Sequence, residues 1–229
     1  MVITIDGPAG SGKSTAARLL AEKLHLYQVD SGAFYRFFTY LFLSWQKDKN
    51  LPAQEIVNSP EFQNYLSKEI FEVEFKDNKQ LIIWKNENMD NYIRTPEITR
   101  NIKIIADNTF MRHEVNRRIK VIAEKYSIIA DGRDMGTVVF PDAQCKFFLD
   151  ASLKIRAMRR YSEFQTSNPG ISLQEVEKEI DKRDKEDQKR EFGKLIPAKD
   201  AIFIDTTNLE INGVVNALSS AIQNKKTSS

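Results

Sequence analysis

The stretch that decides the fold lies at residues 3–15, where the sequence is ITIDGPAGSGKST. Three glycines follow a short apolar run, and a Lys-Ser-Thr triplet comes directly after them. The pattern Gly-x4-Gly-Lys-Ser, between a predicted strand at residues 2–5 and a predicted helix, is typical of a phosphate-binding loop. Its glycines let backbone N–H groups face a phosphate without obstruction, and the start of the helix favours negative charge at the same point. We therefore expect the chain to bind a nucleoside triphosphate.

The residue types in this loop suit ATP bound together with Mg²⁺. Lys13 brings a positive charge to the β- and γ-phosphates, and the Ser14 hydroxyl is a candidate ligand of Mg²⁺. Asp30 and Asp131, each at the end of a predicted strand, are candidates for holding the Mg²⁺ through water. The predicted ATP-binding residues are Gly7, Pro8, Ala9, Gly10, Ser11, Gly12, Lys13, Ser14 and Thr15.

The composition narrows the class of protein. With 229 residues and 41% apolar content, the chain can form one core with a small additional lobe. A formal net charge of +2 argues against a general nucleic-acid binder, and the single cysteine, Cys145, cannot form an intrachain disulfide. Because no apolar run approaches ~18 residues and a strand begins at Val2, we expect neither a membrane span nor a targeting peptide. The expected location is the cytoplasm.

Short apolar runs alternate with longer helical patterns along most of the chain. The five predicted strands lie at residues 2–5 and in the stretches YQVDSG, SIIADGRD, CKFFLDAS and AIFIDTT. Strands joined by helical crossovers form a parallel sheet with helices on both faces, so the predicted fold is α/β, of the P-loop NTPase kind. Residues 70–85, IFEVEFKDNKQLIIWK, alternate apolar and polar side chains around KDNKQ. This alternation predicts an antiparallel hairpin in an inserted lobe.

Polar residues follow the second and third predicted strands, at the sheet edge where open α/β sheets bind their ligands. Ser31 and Arg36 follow the second strand in DSGAFYR, and Arg133 and Asp134 follow the third in ADGRDMGT. An arginine there can fork onto phosphate oxygens, and a carboxylate can accept from an exocyclic amine. Two other interpretations stay open: Ser31 caps the following helix, and a local Asp–Arg pair closes the turn.

Two groups of charged residues on predicted helices are candidates for a lid over the phosphates. Arg156, Arg159 and Arg160 lie on one helical arc because of their i, i+3, i+4 spacing. Further along, the i, i+4, i+7 spacing of Arg183, Asp187 and Arg190 puts these three residues on one face of a predicted helix. Basic residues on a helical hairpin suit a lid that closes on phosphates and excludes water. A solvated helix face is the competing interpretation for both groups.

The remaining patterns separate the classes of nucleotide-binding protein. The chain lacks the Asn-Lys-x-Asp motif with which a GTPase contacts its base, which favours a small-molecule kinase. An alternative enzyme is a P-loop kinase for another monophosphate or a small metabolite. Outside enzymes, a nucleotide-dependent switch or partner-binding module would need an exposed surface, for which the aromatic run at residues 34–45 is the candidate. A buried apolar helix is the competing interpretation of that run.

Seven motifs occur in a fixed order along the chain: IDGPAGSGKST, DSGAFYR, IRTPEI, ADGRDMGTVVFPDA, FLDAS, RAMRR and the spaced series RD…D…R…LIPA. In order and spacing they resemble the bacterial cytidylate kinase family. The resemblance implies Mg²⁺-dependent, reversible transfer of the ATP γ-phosphoryl group to CMP or dCMP by a monomer. The implied regions are a core at residues 1–31, 100–151 and 195–225, a monophosphate-binding region with the insert at about 32–99, and a lid at about 152–194.

The resemblance also implies roles for individual residues. The residues that would bind CMP are Ser31, Arg36, Arg112, Arg133, Asp134, Arg183, Asp187 and Arg190. Within this set, Arg36 and Arg133 would hold the acceptor phosphate, and Arg183 and Asp187 would reach the ribose. The residues that would neutralise the transferring phosphoryl group are Lys13, Arg133, Arg156, Arg159 and Arg160.

Cytosine would be recognised by the remaining members of the CMP-binding set. Arg112 and Arg190 can donate to the O2 and N3 acceptors, and Asp134 can accept from the N4 amine. Uracil would present a carbonyl oxygen to Asp134, so we expect a preference for CMP over UMP. The chain departs from the family pattern at Lys103, where the family usually has a serine that helps to bind the base.

Overall fold

The computed structural model describes residues 1–47, 49, 51–164 and 170–227. The strands are β1 (Val2–Asp6), β2 (Tyr27–Asp30), β3 (Glu72–Lys76), β4 (Lys79–Trp84), β5 (Glu87–Asn88), β6 (Ile128–Gly132), β7 (Cys145–Asp150) and β8 (Ile202–Asp205). The helices are α1 (Lys13–Leu24), α2 (Ser31–Gln46), α3 (Ala53–Asn58), α4 (Pro60–Lys68), α5 (Asp90–Ile93), α6 (Pro96–Ala106), α7 (Thr109–Lys125), α8 (Leu153–Phe164), α9 (Leu173–Lys189) and α10 (Ile211–Thr227), together with a π-helical turn at Met135–Val139.

The chain divides into two compact units. The first unit combines Met1–Gln28 with Tyr126–Ser229, and the second is Val29–Lys125. None of the helices in the described part of the chain is long and apolar enough to cross a membrane.

The sheet of the first unit is built around β1. Strand β1 pairs in parallel with β6 on one side and with β7 on the other, and β7 pairs in parallel with β8. The first residues of β2 lie beside β6, where the Tyr27 backbone N–H donates to the Ser127 carbonyl oxygen at 3.1 Å. All five residues of β6 are buried, as expected for a strand covered by helices on both faces. The predicted α/β fold with a mostly parallel sheet is therefore confirmed.

Helices α1 and α10 supply one covering layer of this sheet. Ala16 and Leu20 of α1 and Leu218 of α10 have no exposed surface and pack in one cluster with Ile3 and Ile5 of β1. Leu19 and Leu24 of α1 are partly buried and pack against the same cluster. This packing fixes the start of α1 against the end of β1, and the phosphate-binding loop joins those two ends.

The second unit is formed around the aromatic helix α2. Phe34, Phe37, Phe38 and Phe42 have no exposed surface, so this run is the core of the unit. The interpretation of this run as an exposed partner-binding surface is therefore wrong for these four rings. Rings from the hairpin region complete the core, because Phe37 meets Phe71 at 4.8 Å between ring centroids with their planes at 65°.

The predicted hairpin is confirmed within the second unit. Strands β3 and β4 pair in antiparallel register from Glu72 with Ile83 to Lys76 with Lys79. The turn between them has Asp77 at φ 50° and Asn78 at φ 60°, which suits a two-residue hairpin turn. A third strand, β5, pairs with β4 over two residues and was not predicted, because so short a strand has no period of its own.

Helices α8 and α9 of the first unit occupy most of the region predicted as a lid. They share an apolar cluster in which Ala157 of α8 packs with Val176 and Ile180 of α9. A capping box at Ser172 and Glu175 starts α9, with the Ser172 side chain accepting from the Glu175 backbone N–H at 3.2 Å. The part of the predicted lid at 165–169 lies outside the described residues. The division into core, monophosphate-binding region and lid stays a prediction.

Candidate functional site

The phosphate-binding loop passes close to two backbones of the first unit. Gly10 has φ 76°, and a Cβ there would lie 2.6 Å from the carbonyl oxygen of Arg156. A Cβ at Gly7 would lie 2.1 Å from the carbonyl oxygen of Leu149. Both positions therefore require glycine, for conformation at Gly10 and for space at both. Gly12 is the N-cap residue of α1 and offers no side chain to the first N–H groups, which leaves the positive end of the helix to an anion.

Lys13 starts α1 and is held across the loop. Its Nζ donates to the carbonyl oxygen of Pro8 at 3.1 Å, and the residue is 8% exposed. The ammonium group is thus kept next to the loop backbone, as expected for a charge that serves the β- and γ-phosphates.

Ser14 and Asp131 meet at the foot of the loop. The Ser14 hydroxyl donates to Oδ2 of Asp131 at 2.5 Å, and Gln28 Nε2 donates to Oδ1 of the same carboxylate at 2.9 Å. Asp131 is 1% exposed at the end of β6. A hydroxyl beside a carboxylate is an oxygen donor set that fits Mg²⁺, directly or through water. Of the two aspartates predicted to hold Mg²⁺ through water, Asp131 lies beside Ser14. Asp30 belongs to the second unit, where its Oδ2 lies 3.7 Å from NH2 of Arg94.

Asp187 is the centre of an ion-pair network in the first unit. Arg133 Nε donates to Oδ2 at 2.9 Å, and Arg190 NH2 donates to Oδ1 at 2.5 Å. Burial alone would raise the pKa of Asp187, but Arg133, Arg190 and Arg183 together hold that pKa below its usual range. The structure therefore brings together residues that the sequence placed more than fifty positions apart.

Arg190 reaches this network from outside the helix. The predicted helical face of i, i+4, i+7 is wrong at its last member, because α9 ends at Lys189 and Arg190 has φ −53° and ψ 140°. The chain turns back here, and the Leu195 backbone N–H donates to the Asp187 carbonyl oxygen at 3.0 Å. Arg183 and Asp187 lie within the helix as predicted.

Asp134 follows Arg133 at the start of the π-helical turn, and it is 1% exposed. The turn is held by Asp6, whose carboxylate accepts from the backbone N–H groups of Met135 at 2.9 Å and Gly136 at 2.7 Å. Burial raises the pKa of Asp6 to about 7 even though both N–H groups favour its ionised form. The sequence patterns did not single out Asp6, although its position as the last residue of β1, directly before the loop, was a signal that it lies near the site.

Each of the three arginines of α8 contacts oxygen atoms of a different part of the chain. Arg156 is 8% exposed, pairs with Asp184, and donates to the carbonyl oxygens of Ala151 at 2.9 Å and Ala9 at 3.1 Å. Arg159 donates to the Thr206 hydroxyl at 3.0 Å, and Arg160 pairs with Glu163. The solvated-face interpretation is therefore wrong for Arg156, and Asp184 is a second residue that sequence analysis missed.

The second unit carries the other predicted CMP-binding residues. Ser31 is buried as the first residue of α2, and the N-cap is Asp30, so the interpretation of Ser31 as the cap is wrong. Arg36 NH1 donates to the Thr99 hydroxyl oxygen at 2.9 Å. Arg112 is 2% exposed, and its NH1 donates to the Ala106 carbonyl oxygen at 2.9 Å.

Lys103 and Arg112 lie on consecutive helices of the second unit. Lys103 belongs to α6 and Arg112 to α7. The guanidinium carbon of Arg112 lies 5.3 Å from the ring centroid of Tyr35, a distance that allows a cation–π interaction. This contact and the burial of Arg112 fix its side chain within the second unit.

Comparison with known proteins places the chain in a family. The family model described as cytidylate kinase matches residues 3–224. The cytidylate kinase of Clostridium tetani is 40% identical over 97% of this chain and 94% of its own length, and that of Bacillus cereus is 38% identical over 96% and 95%. A crystal structure of an uncharacterized protein from Eubacterium ventriosum has a TM-score of 0.51 at 14% identity, covering 97% of this chain and 98% of that one, and shares the fold. The chain belongs to the cytidylate kinase family.

Proposed function

We propose that this chain transfers the γ-phosphoryl group of ATP to CMP or dCMP, giving ADP with CDP or dCDP. The observation that carries the proposal is the end of β6 together with the residue that follows it. These three residues supply Asp131 beside Ser14 of the phosphate-binding loop, and Arg133 beside Asp187. Groups suited to the triphosphate and groups suited to an acceptor nucleotide thus leave one strand end together. Membership of the cytidylate kinase family, and relatives that are themselves named cytidylate kinases, support the same reaction.

ATP would bind with its phosphates on the loop and on the start of α1. The backbone N–H groups between Gly10 and Ser14 and the Lys13 ammonium group are the donors for the β- and γ-phosphates. Bound Mg²⁺ would supply charge neutralisation for these phosphates. Ser14 would hold it directly, and Asp131, next to Ser14, would hold it through water.

The phosphate of CMP would be bound by arginines, as two anionic groups must approach each other. We assign the binding of this phosphate to Arg133 and Arg36. The carboxylate of Asp187 and the guanidinium of Arg183 are suited to the ribose hydroxyl groups. Because the acceptor phosphate oxygen is already charged, no general base is needed, and catalysis consists of positioning and electrostatic stabilisation.

The base would be selected by Asp134, Arg112 and Arg190. A carboxylate accepts from the N4 amine of cytosine and repels the O4 carbonyl of uracil. Lys103 can donate but not accept, so it would assist at O2 or N3 and not at N4.

The arginines of α8 would need to exchange partners to act on the transferring group. Arg156, Arg159 and Arg160 each contact a protein oxygen, as described above. We propose that Lys13 and Arg133, together with bound Mg²⁺, would neutralise most of the charge on the transferring phosphoryl group. A contribution from the three α8 residues would require their guanidinium groups to leave those oxygens. We also propose that the enzyme acts as a monomer in the cytoplasm.

The proposal is tested by identifying the product. The protein is incubated with Mg²⁺, CMP and ATP labelled in the γ-phosphoryl group, and the proposal predicts label in CDP. Lys13→Ala is the matched variant and should transfer little label, because the loop then lacks its charge for the γ-phosphate. A nucleotide-dependent switch would instead release labelled phosphate slowly, and CMP would not change the rate. Label in inorganic phosphate alone would therefore overturn the kinase proposal.

A further inference from the structure

One backbone segment of the phosphate-binding loop is held from both sides by a buried ion pair. The N–H of Ala9 lies 3.4 Å from Oδ1 of Asp184, and the carbonyl oxygen of Ala9 accepts from Arg156 NH1 at 3.1 Å. Arg156 NH1 also pairs with Oδ2 of Asp184. Arg156 and Asp184 are 8% and 7% exposed, so the three contacts form a closed ring away from water.

The same backbone segment connects this ion pair to Lys13. The Ala9 N–H and the Pro8 carbonyl belong to one peptide group, which is planar. Asp184 contacts its N–H side at 3.4 Å, and the Lys13 ammonium group contacts its carbonyl side at 3.1 Å. Rotation of that peptide group would move the carbonyl oxygen that holds Lys13. Asp184 therefore opposes a change in the position of the lysine.

Packing around the loop makes this constraint effective. The backbone of α8 lies so close to Gly10 that a Cβ there would be 2.6 Å from the Arg156 carbonyl oxygen. Ala9 packs against the apolar cluster of Ala157, Val176 and Ile180. The loop is thus pressed against α8 and α9, and the buried ion pair sets the orientation of its peptide groups.

We propose that Asp184 is a positioning residue for ATP, acting through Arg156 and the Pro8–Ala9 peptide group on Lys13 and the loop donors. This inference rests on the proposed function in that ATP is taken as the ligand of the loop. It assigns Arg156 to the support of the loop. It also predicts that loss of the Asp184 carboxylate weakens the binding of ATP, the phosphoryl donor, more than the binding of CMP, the acceptor.

The test compares two aspartates of the same helix. Asp184→Asn keeps the shape of the side chain, but one amide cannot accept from both Arg156 and the Ala9 N–H with two oxygens. Asp181→Asn is the matched control, because Asp181 pairs with Lys185 on the exposed side of α9. Binding of a non-hydrolysable ATP analogue with Mg²⁺, and of CMP separately, is measured by calorimetry, and thermal unfolding identifies any variant that is not folded.

We expect Asp184→Asn to weaken binding of the ATP analogue about tenfold, the scale of one lost hydrogen bond to a charged group, with CMP binding changed less than about twofold. Asp184→Glu should recover part of the loss, since it keeps the charge. If Asp184→Asn does not fold, Arg156→Lys replaces it, because lysine keeps the charge but lacks the planar guanidinium group whose Nε holds Ala151 while NH1 reaches Ala9 and Asp184.

Two results would overturn the inference: binding of the ATP analogue equal to that of the Asp181→Asn control, or an equal loss for the ATP analogue and CMP. Assaying the wild type for CMP phosphorylation separates this inference from the proposed function. If the wild type does not phosphorylate CMP, but Asp184→Asn binds the ATP analogue more weakly than the wild type does, the proposed function fails and the inference stands. If it phosphorylates CMP and Asp184→Asn binds the analogue normally, the inference alone fails.

Discussion

Arg133 Nε donates to Asp187 Oδ2 at 2.9 Å, which ties the turn after β6 to the end of α9. The same carboxylate also accepts from Arg190, so one buried negative charge holds two guanidinium groups next to each other. Without that charge the two cations would repel each other in a site with little water. Asp187 therefore keeps together two arginines that we propose for CMP binding.

Arg133→Ala should lower kcat/KM for CMP by roughly a hundredfold or more, because it removes a charged donor proposed to bind the acceptor phosphate. The KM for ATP should change little, since Arg133 is not part of the phosphate-binding loop. Steady-state kinetics with each substrate varied in turn measures both effects. Arg117→Ala is the control, as Arg117 is 61% exposed and pairs with Glu114 of its own helix. A normal kcat/KM for CMP in Arg133→Ala would contradict the assignment.

Asp134→Ala should reduce the preference for CMP over UMP by roughly tenfold or more, because the N4 amine loses its acceptor and the O4 carbonyl is no longer repelled. Asp134→Asn should go further and favour UMP, since its amide N–H can donate to O4. The ratio of kcat/KM for the two nucleotides is the measurement. Asp142→Ala, an exposed aspartate near the same turn, is the control. An unchanged ratio in Asp134→Ala would remove this residue from base recognition.

Ionised Asp187 should contribute to the free energy of unfolding at pH values above its ordinary pKa, and this contribution should be lost in acid. Burial opposes ionisation of Asp187, but Arg133, Arg190 and Arg183 lower its pKa below the usual value of 3.8. A lowered pKa in the folded state means that the stabilisation is present above 3.8 and disappears as the pH falls through the folded value. Asp187→Asn should therefore cost about 3 kcal/mol in unfolding free energy near neutral pH and progressively less as the pH falls below 3.8. Urea unfolding of both proteins across this range measures the difference, and a difference that does not vary with pH would contradict the prediction.

Asp6 should have the opposite dependence. Burial raises its pKa from 3.8 to about 7, so the folded state binds the proton more tightly than the unfolded chain does. Its contribution is fully present below 3.8 and is lost as the pH rises through about 7. Relative to Asp6→Asn, which cannot titrate, the wild type should lose stability between about pH 4 and pH 7 by a few kcal/mol. Parallel unfolding curves for the two proteins over that interval would show that Asp6 does not titrate there.

The sequence predicted the features that depend on neighbouring residues. The phosphate-binding loop, the five strands of the parallel sheet and the β3–β4 hairpin all have local patterns of glycine, apolar runs or alternation. For the aromatic run of α2 the sequence left two interpretations open, an exposed partner-binding surface and a buried helix. An apolar run does not by itself show which other part of the chain, or which partner, covers it. The structure settles this in favour of a core helix.

The features that the sequence did not predict depend on contacts between distant parts of the chain. Asp184 lies 175 positions from Ala9, and Asp6 lies 129 positions from Met135, so no spacing rule connects them. Arg190 was placed on a helix by its spacing, but α9 ends one residue earlier, where the chain folds back onto the Asp187 carbonyl. Local periodicity cannot show such an end, because charged residues continue past it.

The proposed CMP kinase activity is measured as the rate of ADP formation from ATP and Mg²⁺ in a coupled assay with CMP, dCMP, UMP, AMP or GMP as acceptor. We expect fast turnover with CMP and dCMP and little with the other three, with Lys103→Ser leaving that order unchanged. Comparable turnover with UMP would contradict the role given to Asp134 in selecting the base. A rate that no monophosphate increases would contradict the assignment of this chain as a CMP kinase.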